Sequence, residues 1–204
     1  VDSFTYLINP NIKINSTVTR ITGITNNMLH DAKSFDQIEH EFQQFIDKFP
    51  IVGHNILFDL SFLRKNLNNY DQLFKNRMIC DTFYLSKIFY YYTNSFSLMS
   101  LCQFNDIPVN ESHRAEEDAK NSGLLFVKIL ENKIQYSNAK TIQKLINCIE
   151  SFDVPNKIFF NSVLSCFLNE NVDMESKETE QYSHPKFHLE YNSQSSLNEY
   201  NNIE

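Results

Sequence analysis

The 204-residue chain has no tryptophan, only three glycines and only four cysteines. The glycines, at positions 23, 53 and 123, lie far apart, which excludes a Gly-rich phosphate loop of the Walker or Rossmann type. The cysteines (80, 102, 148 and 166) form no C-x-x-C pair, so neither a zinc ribbon nor a disulfide framework is expected. No apolar run approaches the ~18 residues of a membrane span, and the start lacks a signal-peptide pattern. What is plentiful argues for a packed core. Forty-two per cent of the residues are apolar and 14% aromatic, at a length that suits one domain plus an extension, or two small domains. The expectation is a soluble, cytoplasmic protein with no membrane partner.

Charge is unevenly placed. Residues 170–204 carry eight carboxylates against Lys177 and Lys186, so most of the formal net charge of −7 sits there. The remainder is nearly neutral and lacks a broad basic groove, so a nucleic-acid partner would be held locally. The chain begins with Val1 rather than Met, which predicts that it is a piece of a longer reading frame.

Periodicity then predicts the elements. Phe4–Ile8 is β-rich and stops at Asn9-Pro10. A polar stretch ends in Thr22-Gly23-Ile24-Thr25. Ser34-Phe-Asp-Gln37 reads as a capping box, followed by Ile38, Phe42, Phe45, Ile46 and Phe49 at helical spacing, and Pro50 closes that helix. Ile51-Val52-Gly53 predicts a short buried strand, with a helix from Phe58 to Leu67. Met78-Ile79-Cys80 predicts another strand, and Asp81-Thr82 opens a helix running through Tyr92. Phe96–Phe104, Ala115–Leu130, Ala139–Phe152 and Ile158–Leu168 complete the helices. The alternation implies an α/β layer whose parallel strands are buried on both faces. Asn, Ser, Glu and Tyr dominate thereafter without periodicity.

Two stretches place carboxylates where the pattern expects core. In Gly53-His-Asn-Ile-Leu-Phe-Asp59-Leu-Ser-Phe-Leu63, Asp59 shares a helical face with Phe62 and Leu63. In His113-Arg-Ala-Glu-Glu-Asp118-Ala, a helix would align Asp118 with Ser122, Leu125 and Ile129. A core-facing carboxylate costs several kcal/mol unless compensated, and a divalent cation is a strong compensation. Plainer roles stay open residue by residue. Asp59 can simply favour the positive end of its helix, Asp118 can be a surface residue if the helical phase is off by one, and His113 can be an ordinary loop histidine.

Together, the two stretches resemble the second and third motifs of the DnaQ-like 3′→5′ exonucleases, the branch written D-E-D-D with a histidine. FTYLINP, TRITGIT, VGHNILFDLSFL, CDTFYLSKIF, SFSLMSLCQFNDI and HRAEEDA follow one another in family order over about residues 4–132. The resemblance implies a ribonuclease H-like mixed sheet flanked by helices. It further implies that Asp59 and Asp118 hold Mg²⁺ or Mn²⁺ in a two-metal site and that His113 is the general base. Asn55 and Phe58 would line the terminal nucleotide, and Gly23 and Ile24 would approach its base. The division expected is an exonuclease domain over 1–133, a helical extension over 134–168, and an acidic linker or tail over 169–204.

The family's first motif, D-x-E, is absent. Two of four carboxylate ligands and the first two strands are thus expected to be missing, and the chain as written is expected to be inactive and to fold poorly or not at all. The function implied for the intact parent is release of nucleoside 5′-monophosphates from a DNA 3′ end, with single-stranded DNA as partner. The domain would belong to a polymerase III epsilon-like subunit, or be fused to a DNA polymerase or a helicase. Two alternatives stand beside it: a ribonuclease of the same superfamily, and a non-catalytic module that binds nucleic acid or docks on a polymerase.

Overall fold

A computed structural model describes residues 2–109, 115–150 and 155–174, the last eight by their backbone alone. Two strands, β1 (Ile51–Gly53) and β2 (Ile79–Asp81), pair in parallel with Ile51 opposite Ile79, Val52 opposite Cys80 and Gly53 opposite Asp81. Because side chains alternate along a strand, this register sends the two pairs to opposite faces. Ile51 and Ile79 join a small core made by Ile56, Leu60, Leu67 and Phe74. Val52 and Cys80 join a larger one built around Leu85, Leu101, Leu125, Ile129 and Phe160. The sheet is therefore packed on both faces, as expected, although β1 is only half-buried.

The helices that carry the small core are α3 (Phe35–Ile46), α4 (Leu57–Asn66) and α5 (Tyr70–Phe74). The capping box at the start of α3 forms as expected, with the Ser34 N–H donating to Gln37 Oε1 at 2.9 Å. The larger core collects α6 (Thr82–Phe89), α7 (Leu98–Phe104), α8 (Ala115–Ile129), a single π-helical turn at Leu130–Ile134, α9 (Ala139–Ile149) and α10 (Lys157–Met174). Ile142, Ile146 and Ile149 of α9 are buried together in it, which matches their spacing.

Several sequence expectations change. Phe4–Ile8 is not a strand: its only ladder contact is a parallel bridge from Ile8 to Lys33. A β-prone segment without a neighbouring strand packs by its side chains instead. Here the Phe4 ring lies 5.3 Å from that of Phe45, and Tyr6 donates to Glu41. The polar stretch before Thr25 holds two short helices, α1 (Ser16–Thr22) and α2 (Asn26–Leu29). They start at the Asn15 and Thr25 caps, and Gly23 ends α1 in the left-handed conformation (φ 72°). α6 stops at Phe89 rather than Tyr92, because Tyr90 is buried against α7 and its hydroxyl donates to Asn105 Oδ1 at 2.6 Å. Phe49 lies outside α3 and is exposed, so the apolar face of that helix is narrower than its spacing suggests.

Two glycines separate packing from backbone effects. A Cβ on Gly53 would sit 2.9–3.1 Å from the buried Ile56 side chain, whereas one on Gly123, inside α8, would meet nothing within 4 Å. Gly53→Ala should therefore lower unfolding stability by about 1–3 kcal/mol through overpacking. Gly123→Ala should raise it by roughly 0.5–1 kcal/mol through helix propensity. Urea melts of the two variants check both signs.

Candidate active site

Both strands end at one place. Beyond Gly53 the chain turns through His54 and Asn55 into α4, and beyond Asp81 it enters α6 directly. Asn55 has φ 59°, a left-handed conformation that asparagine tolerates better than most residues. The turn is held by the Asp81 carboxylate, which is fully buried. It accepts the N–H of Asn55 at 2.9 Å, of Ile56 at 3.2 Å and of Phe83 at 2.9 Å. Burial raises the Asp81 pKa, and these donors together with nearby His54 oppose the rise.

His54 is pinned from both ring nitrogens. Nε2 lies 2.9 Å from the Phe96 carbonyl, which only accepts, so Nε2 carries a proton and donates. Nδ1 lies 2.9 Å from the Thr82 hydroxyl, which is also 3.1 Å from the Gly53 carbonyl. A hydroxyl has one proton. In the neutral ring it goes to Nδ1, and in the imidazolium it goes to Gly53. Burial lowers the His54 pKa, while the Phe96 carbonyl and the Asp81 and Asp118 charges oppose that.

Beside this turn lies a cleft of about 1250 Å³ whose lining includes His54, Asn55, Phe58, Asp59 and Asp118. Asp59 stands in the first turn of α4 and Asp118 in the first turn of α8. Both are exposed residues, so neither is the core-facing carboxylate that its spacing suggests. Along α8, Ser122, Leu125 and Ile129 are buried and Asp118 is the open end of their stripe. Along α4, Ile56 and Leu60 are buried while Phe58 and Phe62 are 64% and 55% exposed, which reverses the expected face. Partial loss of hydration at the cleft wall raises the Asp59 pKa, and the Asp81 charge adds to it.

The structure thus brings Asn55, Phe58, Asp59 and Asp118 to one cleft. Gly23 and Ile24 are not among its lining residues. His113 lies outside the described residues. Phe62 is not among the lining residues either, though its ring packs edge-on against that of Phe58 at 5.0 Å. Sequence reasoning missed His54 as a fixed element of the turn, and read Asp81 only as the opening of a helix. The signal for Asp81 was present: a carboxylate directly after an apolar triplet must find several donors.

Among the described residues, no three His, Cys, Asp or Glu side chains gather into a metal-holding group. The donor set is two carboxylates on one cleft. That fits a single hard, largely hydrated cation such as Mg²⁺, which takes one or two carboxylates and completes its shell with water and phosphate. It does not fit a two-metal centre, which needs further carboxylates. Cys80 and Cys102 add nothing here: burial pushes their thiols up to about 12 and about 11.

The RNase_T family model, described as an exonuclease, matches residues 1–126. The DNA polymerase III PolC-type of Caldanaerobacter subterraneus is 31% identical over 157 residues, covering 77% of this chain and 11% of that protein. The 3′-5′ exonuclease DinG of Bacillus subtilis is 30% identical over 172 residues, covering 83% and 18%. DinG of Staphylococcus epidermidis is 32% identical over 131 residues, covering 64% and 14%. The chain spans less than a fifth of the length of each of these relatives. Among the described residues, no helix is long and apolar enough to cross a membrane.

The His54 environment makes a pH prediction. Its folded pKa lies below the ordinary value of 6.5. As pH falls through 6.5, the unfolded chain takes up a proton that the native ring resists. Stability therefore declines until the folded value is passed, and then levels off. Between about pH 7.5 and about pH 5.5, wild type should lose more stability in urea melts than His54→Gln, which has no imidazole to protonate.

Proposed function

The chain belongs to the RNase_T exonuclease family of the DnaQ-like superfamily, and from that premise we propose that it is the 3′→5′ exonuclease domain of a DNA-processing protein, cytoplasmic and ribonuclease H-like in fold. The observation that carries the proposal is that Asp59 and Asp118 both line one cleft within the matched region, each in the first turn of its helix. The substrate we propose is the 3′ end of single-stranded DNA and the product a nucleoside 5′-monophosphate. The polymerase relatives support a parent in which this domain accompanies a DNA polymerase; a free-standing subunit or a helicase fusion uses the same site.

In the reaction proposed, a water oxygen attacks the terminal phosphorus and the P–O3′ bond breaks. The 3′ oxygen leaves with a proton as the new 3′ hydroxyl. Asp59 and Asp118 are assigned to hold a divalent cation, Mg²⁺ or Mn²⁺, whose chemistry is charge neutralisation at the phosphate and a more acidic water. His113 is assigned to take the proton from that water, a role that an imidazole side chain commonly fills as general base. Phe58 and Phe62 are assigned as a stacking surface for the terminal bases. Phenylalanines this exposed gain little from folding, and base–aromatic stacking contributes about 1–3 kcal/mol per base. Asn55 is assigned to the terminal nucleotide. Sugar discrimination depends on contacts at that same end of the cleft, so a ribonuclease reading shares every assignment except the nucleic acid.

Two experiments separate catalysis from mere binding. First, Mn²⁺ should bind the 204-residue chain, and Asp59→Asn or Asp118→Asn should each weaken it roughly 10–100-fold in calorimetric titration. The two carboxylates alone should support little hydrolysis of 3′-labelled single-stranded DNA. A polypeptide extended to include a D-x-E pair should hydrolyse it, and lose that activity in EDTA or on Asp118→Asn. DNA binding that persists in EDTA without any hydrolysis would favour the non-catalytic module. Second, Asn55→Gly keeps the left-handed turn and removes the side chain. If the carboxamide contacts the nucleotide, this variant should keep wild-type stability yet bind a nucleoside 5′-monophosphate about tenfold more weakly, roughly one hydrogen bond. Unchanged nucleotide affinity would confine Asn55 to shaping the turn.

A further inference from the structure

Asn156 stands just before α10, well beyond residue 126 where the family match ends. It is 1% exposed, one of few polar side chains so deeply buried among the described residues. Its carboxamide is used twice on a single residue. Oδ1 accepts the Asp81 N–H at 3.0 Å, and Nδ2 donates to the Asp81 carbonyl at 3.2 Å. A side-chain amide thus makes at the end of β2 the pair of bonds that another strand's backbone would make.

Asp81 transmits that contact onward. Its backbone is held by Asn156, and its carboxylate holds the N–H groups of Asn55 and Ile56. Ile56 caps α4, whose first turn presents Asp59 to the cleft. One unbroken series of hydrogen bonds therefore runs from the start of α10 to the turn that sets Asp59 and Asn55. The series is short and lies in the interior, where a carboxylate has few alternative partners and cannot reorient cheaply. Thr82 and His54 brace the same turn through side-chain contacts to Gly53 and Phe96. None of these groups comes from the segment after residue 130 except Asn156.

We propose that Asn156 is a positioning residue for the cleft: it fixes Asp81, and through the Asp81 carboxylate it fixes the β1–α4 turn that orients Asp59 and Asn55. The helical segment after residue 130 is then a working part of the site rather than an appendage. The inference rests on the exonuclease reading for the meaning of Asp59, but not for the hydrogen-bond series itself.

The test uses the full chain and three variants. Asn156→Ala removes both bonds to Asp81. Val163→Ala truncates a buried α10 side chain in the same core that makes no hydrogen bond in this series, and serves as the stability control. Asp81→Asn keeps the backbone groups that pair with Asn156 but replaces the carboxylate. Amide hydrogen exchange at Asn55 and Ile56 is read at urea concentrations that give all proteins equal global stability. The expected result is exchange at least about tenfold faster in Asn156→Ala and in Asp81→Asn than in Val163→Ala, with Mn²⁺ affinity weakened in the first two only. Equal exchange in Asn156→Ala and Val163→Ala would overturn the proposal. Should Asn156→Ala fail to fold, Asp81→Asn decides alone: unchanged exchange at Asn55 and Ile56 overturns it, since the series runs through that carboxylate. A wild-type chain that binds no Mn²⁺ would instead count against the metal assignment, because the exchange measurement needs neither metal nor nucleic acid.

Discussion

A single buried carboxylate, that of Asp81, governs how this molecule presents its cleft. Taking an ionised carboxylate out of water is expensive unless donors replace the lost hydration. Asp81 recovers it from three backbone N–H groups, two at the β1–α4 turn and one at the start of α6. The last of these makes Asp81 the cap of α6, where the helix dipole also favours a negative charge. One side chain thereby closes two helix starts and one strand end. A longer or neutral residue at position 81 would leave at least one of those donors without a partner.

Two parallel strands of three residues are a slight scaffold, and both end at the turn beside the cleft. Side chains from opposite faces of the sheet bind two separate cores, so the strands serve as the seam between them. In parallel α/β arrangements, ligands bind where the strands end at their carboxyl side. That is where Gly53 leads to His54 and Asn55, and where Asp81 leads to Thr82. The helices that follow begin near this edge, and their positive ends face the same region.

Much of this organisation could be read from the sequence, for reasons that particular residues make plain. Ser34 and Gln37 mark a helix start because the capping box is a purely local device. Ile51-Val52-Gly53 and Met78-Ile79-Cys80 declare strands because both are apolar and too short for helices. The spacing from His113 to Asp118 and the HNILFDLSFL run identify a family because they lie within single segments. The rest depends on partners far away in sequence. Phe4–Ile8 has the composition of a strand but finds no ladder beyond Ile8. Asn156 is one asparagine among many, and nothing local marks it as the partner of a residue 75 positions earlier. On α4, hydrophobicity does not mark burial. There, two phenylalanines face outward, and Ile56 and Leu60 do the packing.

Asp59 and Asp118 sit in first turns, where the plain dipole argument alone would put an acid, and they are exposed as that argument requires. The same position suits a ligand for a hydrated cation. A carboxylate sealed in the core would shed its charge before a cation arrived, whereas one at the mouth of a cleft keeps water at hand. Partial loss of hydration raises the Asp59 pKa. The helix dipole and the metal reading are therefore not rivals. The dipole lowers the cost of keeping each carboxylate charged at the cleft, whether or not a cation is bound. Phe58 and Phe62 stand exposed on the same helix as Asp59, their rings edge to face at 5.0 Å, which is why the proposed function gives them the terminal bases to stack on.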